Sequence, residues 1–97
     1  MTTAKVREEG FSKDADKLVR RLSLVALLLS RRGQPVSAAE IRSRVEGYPL
    51  MTEEAFKKRF YEDRSELAGL GVEVEAEPAD DGSELYSLPA DAYYLPA

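Results

Sequence analysis

The sequence contains no cysteine and no histidine. Without these residues the chain has no disulfide, no thiol nucleophile, no imidazole general base and almost no means of holding zinc. It also lacks a glycine-rich phosphate loop. We therefore predict that the protein is not an enzyme: it has no catalytic residue, no metal, no cofactor and no small-molecule substrate in this domain.

Long apolar runs are also missing. The longest, LSLVALLLS at 22–30, has about half of the roughly 20 apolar residues that a membrane-spanning helix needs. Neither its position nor its flanks fit a signal peptide. We expect no membrane association and a cytoplasmic location.

Basic residues are absent from the C-terminal third of the chain. All 14 Lys and Arg lie in residues 1–64 together with ten acids, which gives this part a charge of +4. Residues 65–97 hold eight acids and no base, a charge of −8. The overall charge of −4 argues against a nucleic-acid binder, but it conceals a basic portion.

The 97 residues suit one globular domain, with 43% hydrophobic and 33% charged residues. The first 12 residues show no periodicity and are predicted to be a flexible N-terminal arm. The folded domain is placed at 13–88, and residues 89–97 are read as a C-terminal linker or tail.

Three helices are predicted before residue 71. The first spans about 13–32 and ends at a glycine; its apolar stripe, predicted to face the core, is Leu18, Leu22, Val25 and Leu29, widened by Val19 and Leu28. The second begins at the capping box SAAE (37–40) and runs to about residue 46. The third begins after a threonine cap at 52 and runs to about residue 70.

A β-hairpin follows the helices. VEVEAE (72–77) alternates strictly, ELYSL (84–88) forms a second run, and PADDGS (78–83) supplies the turn. The predicted fold is therefore α+β and mostly helical: three helices followed by a β-hairpin wing, the order of a winged helix-turn-helix.

The third helix has a buried and an exposed face. Phe56 and Phe60 centre the buried face, and Leu67 and Leu70 fall close to them at about 100° per residue. Asp63 also falls on the buried side, where a carboxylate needs a partner. The candidates to pair with Asp63 are Arg59, Arg20 and Arg21.

The exposed half of a recognition helix reads DNA in a helix-turn-helix, so this face supplies the candidate contacts. Lysines neutralise phosphates or donate to guanine, and tyrosine donates to phosphate or packs on a base methyl. Residues near the second helix are expected to hold the DNA backbone. The predicted DNA-binding residues are Lys57, Lys58, Tyr61, Arg64, Arg42, Arg44, Ser37 and Gln34.

Several segments resemble one family of bacterial regulators. FYEDRSELAGLGV resembles the end of the recognition helix in DeoR-like and WYL-type regulators, with its aspartate, leucine and Leu-Gly pair at Asp63, Leu67, Leu70 and Gly71. LVRRLSLVALLLSRRGQPVSAAEIRSRVEGY resembles the first two helices of actinobacterial WYL regulators of the proteasome-accessory-factor type, and EAFKKRFYEDRSEL resembles their third. ELYSLP and DAYYLP resemble the end of the wing and the start of the linker, so the resemblance covers about 14–96.

This resemblance implies the N-terminal DNA-binding domain of a transcription regulator. In the family a ligand-sensing WYL domain follows, and nothing resembling it is present here. We expect an excised domain of a longer protein, with a free-standing small regulator as the alternative. Because the basic contacts are few, we expect specific binding to double-stranded DNA to need two copies, a homo- or hetero-dimer in the full-length protein.

Two departures from the family pattern favour a rival function. Tyr61 and Glu62 stand where many DeoR-like helices have paired arginines, and the predicted wing is acidic, with Glu73, Glu75 and Glu77 on one strand face. DNA repels such a strand, so we expect the wing to point away or to face a basic partner. The alternative function is a protein–protein interaction module that uses this acidic wing.

Overall fold

The computed structural model describes the backbone of residues 2–89 and the side chains of residues 14–89. In chain order the elements are α1 (Thr2–Ser30), β1 (Val36–Ser37), α2 (Ala38–Arg44), α3 (Glu53–Gly69), β2 (Glu75–Pro78) and β3 (Glu84–Ser87). The strands form one antiparallel sheet in the order β1-β3-β2. The α+β fold and the winged-helix order of elements are confirmed.

Helix α1 is longer than predicted. It begins at Thr2 rather than near residue 13, so the segment predicted as a flexible arm has helical backbone. No proline interrupts the first 30 residues, and Ala4, Lys5, Arg7 and the two following glutamates all favour helix over the cost of Gly10, about 1 kcal/mol. The predicted C-terminal tail lies, from residue 90 on, outside the described residues.

The face that α1 turns to the core differs from the prediction. Leu24 and Leu28 are fully buried there, beside Arg20. Most of the predicted stripe instead faces outward: Leu18 and Leu22 are each 59% exposed, Leu29 46% and Val19 41%. Of its other members, Leu28 is fully buried as predicted and Val25 packs in part against the core. Both sides of the helix are apolar, so periodicity alone does not set its rotation; the buried contacts of Arg20 do.

Helix α2 begins as its capping box predicts. The Ser37 hydroxyl accepts a hydrogen bond from the Glu40 backbone N–H at 3.1 Å. The Glu40 carboxylate does not complete the box, because it accepts a hydrogen bond from Arg31 and lies 3.0 Å from Nε of Arg44. The predicted Ser37 cap is therefore confirmed, whereas the Glu40 carboxylate connects α2 to the end of α1 through Arg31.

Strand β1 was not predicted. It has only two residues, which pair with β3 through Val36 opposite Tyr86 and Ser37 opposite Leu85. A pair this short has no period of its own to detect, and it depends on residues about 50 positions away in the sequence. It fixes the start of α2 against the wing.

Helix α3 begins at its predicted cap, where the Thr52 hydroxyl accepts from the Ala55 N–H at 3.1 Å. It ends in a Schellman motif: Gly71 adopts φ 92°, and the Val72 N–H donates to the Leu67 carbonyl at 2.8 Å. The prediction that Leu70 is buried is wrong, since it is 78% exposed. It lies one residue beyond the last helical turn and so leaves the buried stripe.

An aromatic cluster joins α3 to the preceding turn and to the wing. The ring centroid of Phe56 lies 5.0 Å from Tyr48 and 5.3 Å from Phe60, and Phe60 lies 4.8 Å from Tyr86 of β3. Aliphatic side chains from the three helices, from Val45 after α2, and from Val36 and Leu88 at the sheet complete the core. The cluster therefore fixes the wing relative to the exposed face of α3.

Candidate nucleic-acid interface

A buried ion network sets the rotation of α3. The Asp63 carboxylate accepts hydrogen bonds from Arg20 at 2.6 and 2.8 Å, from Arg21 at 3.0 Å and from the Tyr48 hydroxyl at 2.5 Å. The predicted pairing with Arg20 and Arg21 is confirmed; Arg59 pairs instead with Glu62 at 3.0 Å. By tying α3 to α1 and to the turn at Tyr48, the network decides which side of α3 faces outward.

These contacts shift the pKa values of the groups involved. Burial alone raises the pKa of Asp63, but the hydrogen bonds from Arg20, Tyr48 and Arg21 outweigh it and hold the pKa below its ordinary value. The hydrogen bond to Asp63 raises the pKa of Arg20, and burial raises the pKa of Tyr48. Asp63 is therefore a charged residue with a structural role, and it lies on the buried side of α3, away from the exposed face of the helix.

A cleft lies between α2, the part of α3 from Glu53 to Arg64 and the tip of the wing. Three cations line it, Arg42, Lys57 and Arg64, together with two acids, Glu53 and Glu84. The tip residues Gly82 and Ser83 form its opposite wall. The structure thus brings three of the predicted DNA-binding residues together in one concave surface.

Arg64 is held in this cleft by aromatic rings. Its guanidinium carbon lies 4.6 Å from the ring centroid of Phe60, 4.9 Å from Tyr86 and 5.8 Å from Tyr61. Its buried Nε has no hydrogen-bond acceptor among the described residues, and none of their carboxylates forms an ion pair with it. The cation is therefore fixed in position by packing rather than neutralised.

The other predicted residues of α3 are exposed. Lys57 lies at the cleft, with Nζ 3.7 Å from the Glu53 carboxylate. Lys58 is exposed and Tyr61 is 65% exposed, and both lie on the outer side of the helix beyond the cleft. Together with Arg64 they present a surface that carries both positive charge and one aromatic hydroxyl.

The two arginines of α2 already have partners. Arg42 donates to the Met51 carbonyl and lies 6.0 Å from the Phe56 ring, so it stabilises the turn between α2 and α3. Arg44 pairs with Glu40 at 3.0 Å, although its side chain is 61% exposed. Either arginine must give up part of these contacts before it binds phosphate.

Ser37 and Gln34 lie outside the cleft. The Ser37 oxygen caps α2, and Gln34 is exposed in the turn after α1, where its backbone N–H donates to the Arg31 carbonyl at 3.0 Å. Both residues come shortly before α2 in the chain, but neither lines the cleft with the cations of α3. The predicted set is thus divided between the cleft and its surroundings.

Sequence reasoning missed that the wing tip belongs to this surface. Asp81 accepts hydrogen bonds from the backbone N–H of Ser83 at 3.0 Å and from its hydroxyl at 2.6 Å, and Gly82 adopts φ 88°. The sequence DDGS signals this turn, but only the packing of Tyr86 shows that it lies against α3. The expectation that the acidic wing points away from DNA or faces a basic partner stays a prediction; at the tip, Glu84 lines the cleft beside the cations of α2 and α3.

The acidic strand β2 occupies the outer edge of the sheet. All four of its residues are exposed, including Glu75 and Glu77. Glu75 and Glu77 therefore lie on an edge strand of the wing, and β3 separates this strand from α3. The acidic surface and the cations of the cleft are thus different surfaces of the molecule.

Within the described residues, neither a membrane-spanning helix nor a metal site is evident. No helix there combines the length and the apolar character needed to cross a bilayer. No three acidic, histidine or cysteine side chains of that part of the chain are grouped so that they could hold a metal ion.

Comparison with known proteins gives relatives that cover most of this chain. It is 46% identical over 83 residues to Protein PafB of Mycobacterium leprae, which covers 82% of the chain and 25% of the relative. It is 42% identical over 82 residues to Protein PafB of Mycobacterium tuberculosis and of Mycobacterium bovis, covering 81% of the chain and 24% of each relative. The chain thus spans about a quarter of the length of these curated relatives. No family model matches it.

Proposed function

We propose that this chain is the DNA-binding domain of a bacterial transcription regulator and that the first half of α3 enters the major groove of double-stranded DNA. The single observation that carries the proposal is Arg64, a cation fixed in a concave surface without an acidic partner among the described residues. The winged-helix order of elements and the similarity to PafB proteins support it. The proposal includes no catalytic activity for this domain.

Arg64 is assigned to the DNA backbone. Its guanidinium packs against both Phe60 and Tyr86, so it loses little conformational freedom when it donates to a phosphate. Lys57 reaches the same DNA strand once its ion pair with Glu53 opens. This long ion pair contributes little to stability, because both side chains are exposed. These two cations position the helix but do not read sequence.

Lys58 and Tyr61 are assigned to the base edges. Both are exposed on the outer side of α3, in the half of a recognition helix that enters the groove. A lysine donates to the acceptors of guanine, and a tyrosine packs on a base methyl or donates to a phosphate. Sequence preference therefore depends mainly on these two side chains.

The acids near the cleft limit the affinity of one copy. Glu53 and Glu84 line the same surface as the cations, and the net charge of the chain is −4. We expect non-specific binding in the usual range of about 10⁻⁴ to 10⁻⁶ M, falling steeply with salt. Specific binding then requires two copies on paired half-sites, as a homo- or hetero-dimer of the longer protein.

Fluorescence anisotropy of a labelled random-sequence duplex, titrated at several salt concentrations, tests the proposal. Lys57→Ala has a matched control in Arg59→Ala, because both remove an exposed cation of α3 that pairs with a glutamate of the same helix. Only Lys57 lies at the cleft; Arg59 lies about 160° away around the helix. Lys57→Ala should weaken binding at every sequence and reduce the salt slope by about 1.

Arg64→Ala should weaken binding further, since it removes the preorganised cation. A circular-dichroism melt checks that loss of its packing on Phe60 and Tyr86 leaves the fold intact at the assay temperature. Equal effects of Lys57→Ala and Arg59→Ala, or no binding at low salt, would overturn the assignment of this surface. The second outcome would direct attention to the acidic wing as a protein-binding surface.

A further inference from the structure

Glu54 is an exposed acid on the side of α3 that the proposed function assigns to the base edges. It precedes Lys58 by four residues and Tyr61 by seven, so the three side chains lie within about 60° of one another around the helix. All three are exposed. When α3 enters the major groove, Glu54 therefore meets the DNA together with Lys58 and Tyr61.

The Glu54 carboxylate has no cationic partner among the described residues. Its neighbour Glu53 has one, because Nζ of Lys57 lies 3.7 Å from the Glu53 carboxylate. Lys58 follows Glu54 at the same four-residue spacing, yet no ion pair in the described part of the chain includes either of them. Binding therefore brings an un-neutralised carboxylate to the base pairs.

Helix stability accounts for acids in the first turn of α3 but does not single out Glu54. Both Glu53 and Glu54 lie in that turn, where a negative charge complements the helix dipole, and the Thr52 hydroxyl already caps the helix. An acid on the side that faces DNA lowers affinity, because the phosphates repel it. It contributes favourably only where a base offers it a hydrogen-bond donor.

Two bases offer such a donor in the major groove. Cytosine presents its N4 amino group and adenine its N6 amino group, whereas guanine and thymine present acceptor oxygens at the corresponding edge. In adenine the acceptor N7 adjoins the amino group and repels a carboxylate. Cytosine has no acceptor beside its amino group in this groove, so a carboxylate at this position selects cytosine.

We propose that Glu54 is a specificity-determining residue that accepts a hydrogen bond from the N4 amino group of a cytosine in the major groove. The inference rests on the proposed function, since it requires α3 to lie in that groove. Lys58 is one helical turn away, about 6 Å between the Cβ atoms, and base pairs repeat every 3.4 Å or so. The two side chains therefore fall on the same or on neighbouring base pairs, with Lys58 donating to guanine.

The carboxylate acts mainly by rejecting the other bases. Beside guanine or thymine it faces an acceptor, so it loses its water without gaining a hydrogen bond. Glu54 thus lowers the affinity for most sequences and spares those with cytosine at the matching position. The domain gains discrimination at the expense of non-specific affinity.

Selection of bound duplexes from a randomised library at low salt, followed by sequencing, tests the base assignment. The 97-residue chain should enrich duplexes with cytosine at one fixed position, and Glu54→Ala should select the same site with that position relaxed. Glu66→Ala is the matched control. Glu66 is also an exposed acid of α3 without an ion pair in the described part of the chain, but it lies about 120° away around the helix and about three turns further along.

Anisotropy titrations measure the discrimination, using the selected duplex and one in which thymine replaces that cytosine. The parent chain and Glu66→Ala should prefer the cytosine duplex at least about fivefold, and Glu54→Ala should bind the two duplexes equally. Glu54→Ala should also bind a random-sequence duplex about fourfold more tightly, since it removes a unit charge about 5 Å from a phosphate in water. Its salt slope should not change, because no cation is lost.

The outcomes separate this inference from the proposed function. No binding by the parent chain at low salt would overturn both. Binding by the parent without a preference for cytosine, or the same preference in Glu54→Ala, would overturn the assignment of Glu54 and leave DNA binding intact. Weaker binding of the random duplex by Glu54→Ala, with its fold intact by circular dichroism, would also overturn it; a role confined to helix stability would leave the base preference unchanged.

Discussion

Replacing Asp63 by asparagine should be among the most destabilising isosteric changes in this domain. The side chain is fully buried, and it accepts hydrogen bonds from two arginines and a tyrosine. Asparagine keeps the volume but removes the charge, which leaves Arg20, only 6% exposed, without a counter-ion. Breaking one partner out of a buried ion pair costs about 3–5 kcal/mol.

That cost is a large part of the roughly 5–15 kcal/mol by which small domains are stable. For a urea m-value of about 1.5 kcal/mol/M, a loss of 4 kcal/mol shifts the unfolding midpoint by about 2–3 M. Urea titration followed by circular dichroism measures the shift. Asp81→Asn is the matched control, because Asp81 is exposed and its contacts stay within its own turn, so its midpoint should barely move.

A loss of less than about 1 kcal/mol in Asp63→Asn would contradict the role assigned to this network. It would mean that the arginines find water or other acceptors and that the network does not set the rotation of α3. An unchanged m-value is also expected, since the substitution should alter stability and not the extent of folded structure.

The Asp63 network, the cap of α2 and the end of α3 can each be tested by stability measurements. Because the pKa of Asp63 is depressed in the folded state, the contribution of its carboxylate to stability is present above the unfolded pKa of about 3.9 and is lost as pH falls through the folded pKa. Below pH 4 the urea midpoint of the parent chain should therefore fall towards that of Asp63→Asn. Parallel pH profiles of the two chains would contradict this. Ser37→Ala removes the cap of α2 and should cost about 1 kcal/mol in the same titration, whereas Ser65→Ala, at an exposed position within α3, should not destabilise the domain. Gly71→Ala forces a side chain into φ 92° and should cost about 1–2 kcal/mol in thermal melts, with no change expected for Gly69→Ala beyond a small gain in helix propensity.

The local sequence was enough to predict α3 and the wing. The Thr52 cap and the glycine stop at Gly71 are local signals, and each is found where it was predicted. The change to a two-residue period correctly indicated the wing, although β2 spans Glu75–Pro78 rather than 72–77 and all of its residues are exposed. The pairing of Asp63 with Arg20 was also predictable, since a carboxylate on the buried side of a helix needs a cation from a neighbouring element. These features depend on neighbouring residues or on one strong physical requirement.

The rotation of α1 was not predictable in the same way. Two stripes of leucine share this helix, and the hydrophobic pattern assigns equal weight to the inner Leu24 and the outer Leu22. Only the contact between Arg20 and Asp63 distinguishes them, and that contact joins residues 43 positions apart. The strand β1 escaped detection for a related reason, because its pairing with β3 is entirely long-range.

The candidate site was predictable in composition but not in geometry. Exposure on α3 pointed to Lys57, Lys58 and Tyr61, and all three are exposed. The position of Arg64 depends on Tyr86, which reaches it from the wing. Sequence spacing contains no information on the contact between Arg64 and Tyr86. Arg64, the cation that three aromatic rings hold in position, was therefore placed only on a flank of the predicted site.

The measurement that tests the central proposal most directly is two-dimensional ¹H–¹⁵N NMR of the labelled domain, titrated with a short duplex at low salt. We expect the amide shifts to concentrate in residues 53–64 and in the wing tip, 82–84, and the amide signals of β2 and of the outer face of α1 to remain unchanged. Shifts confined to β2, or no shifts at all at low salt, would contradict it.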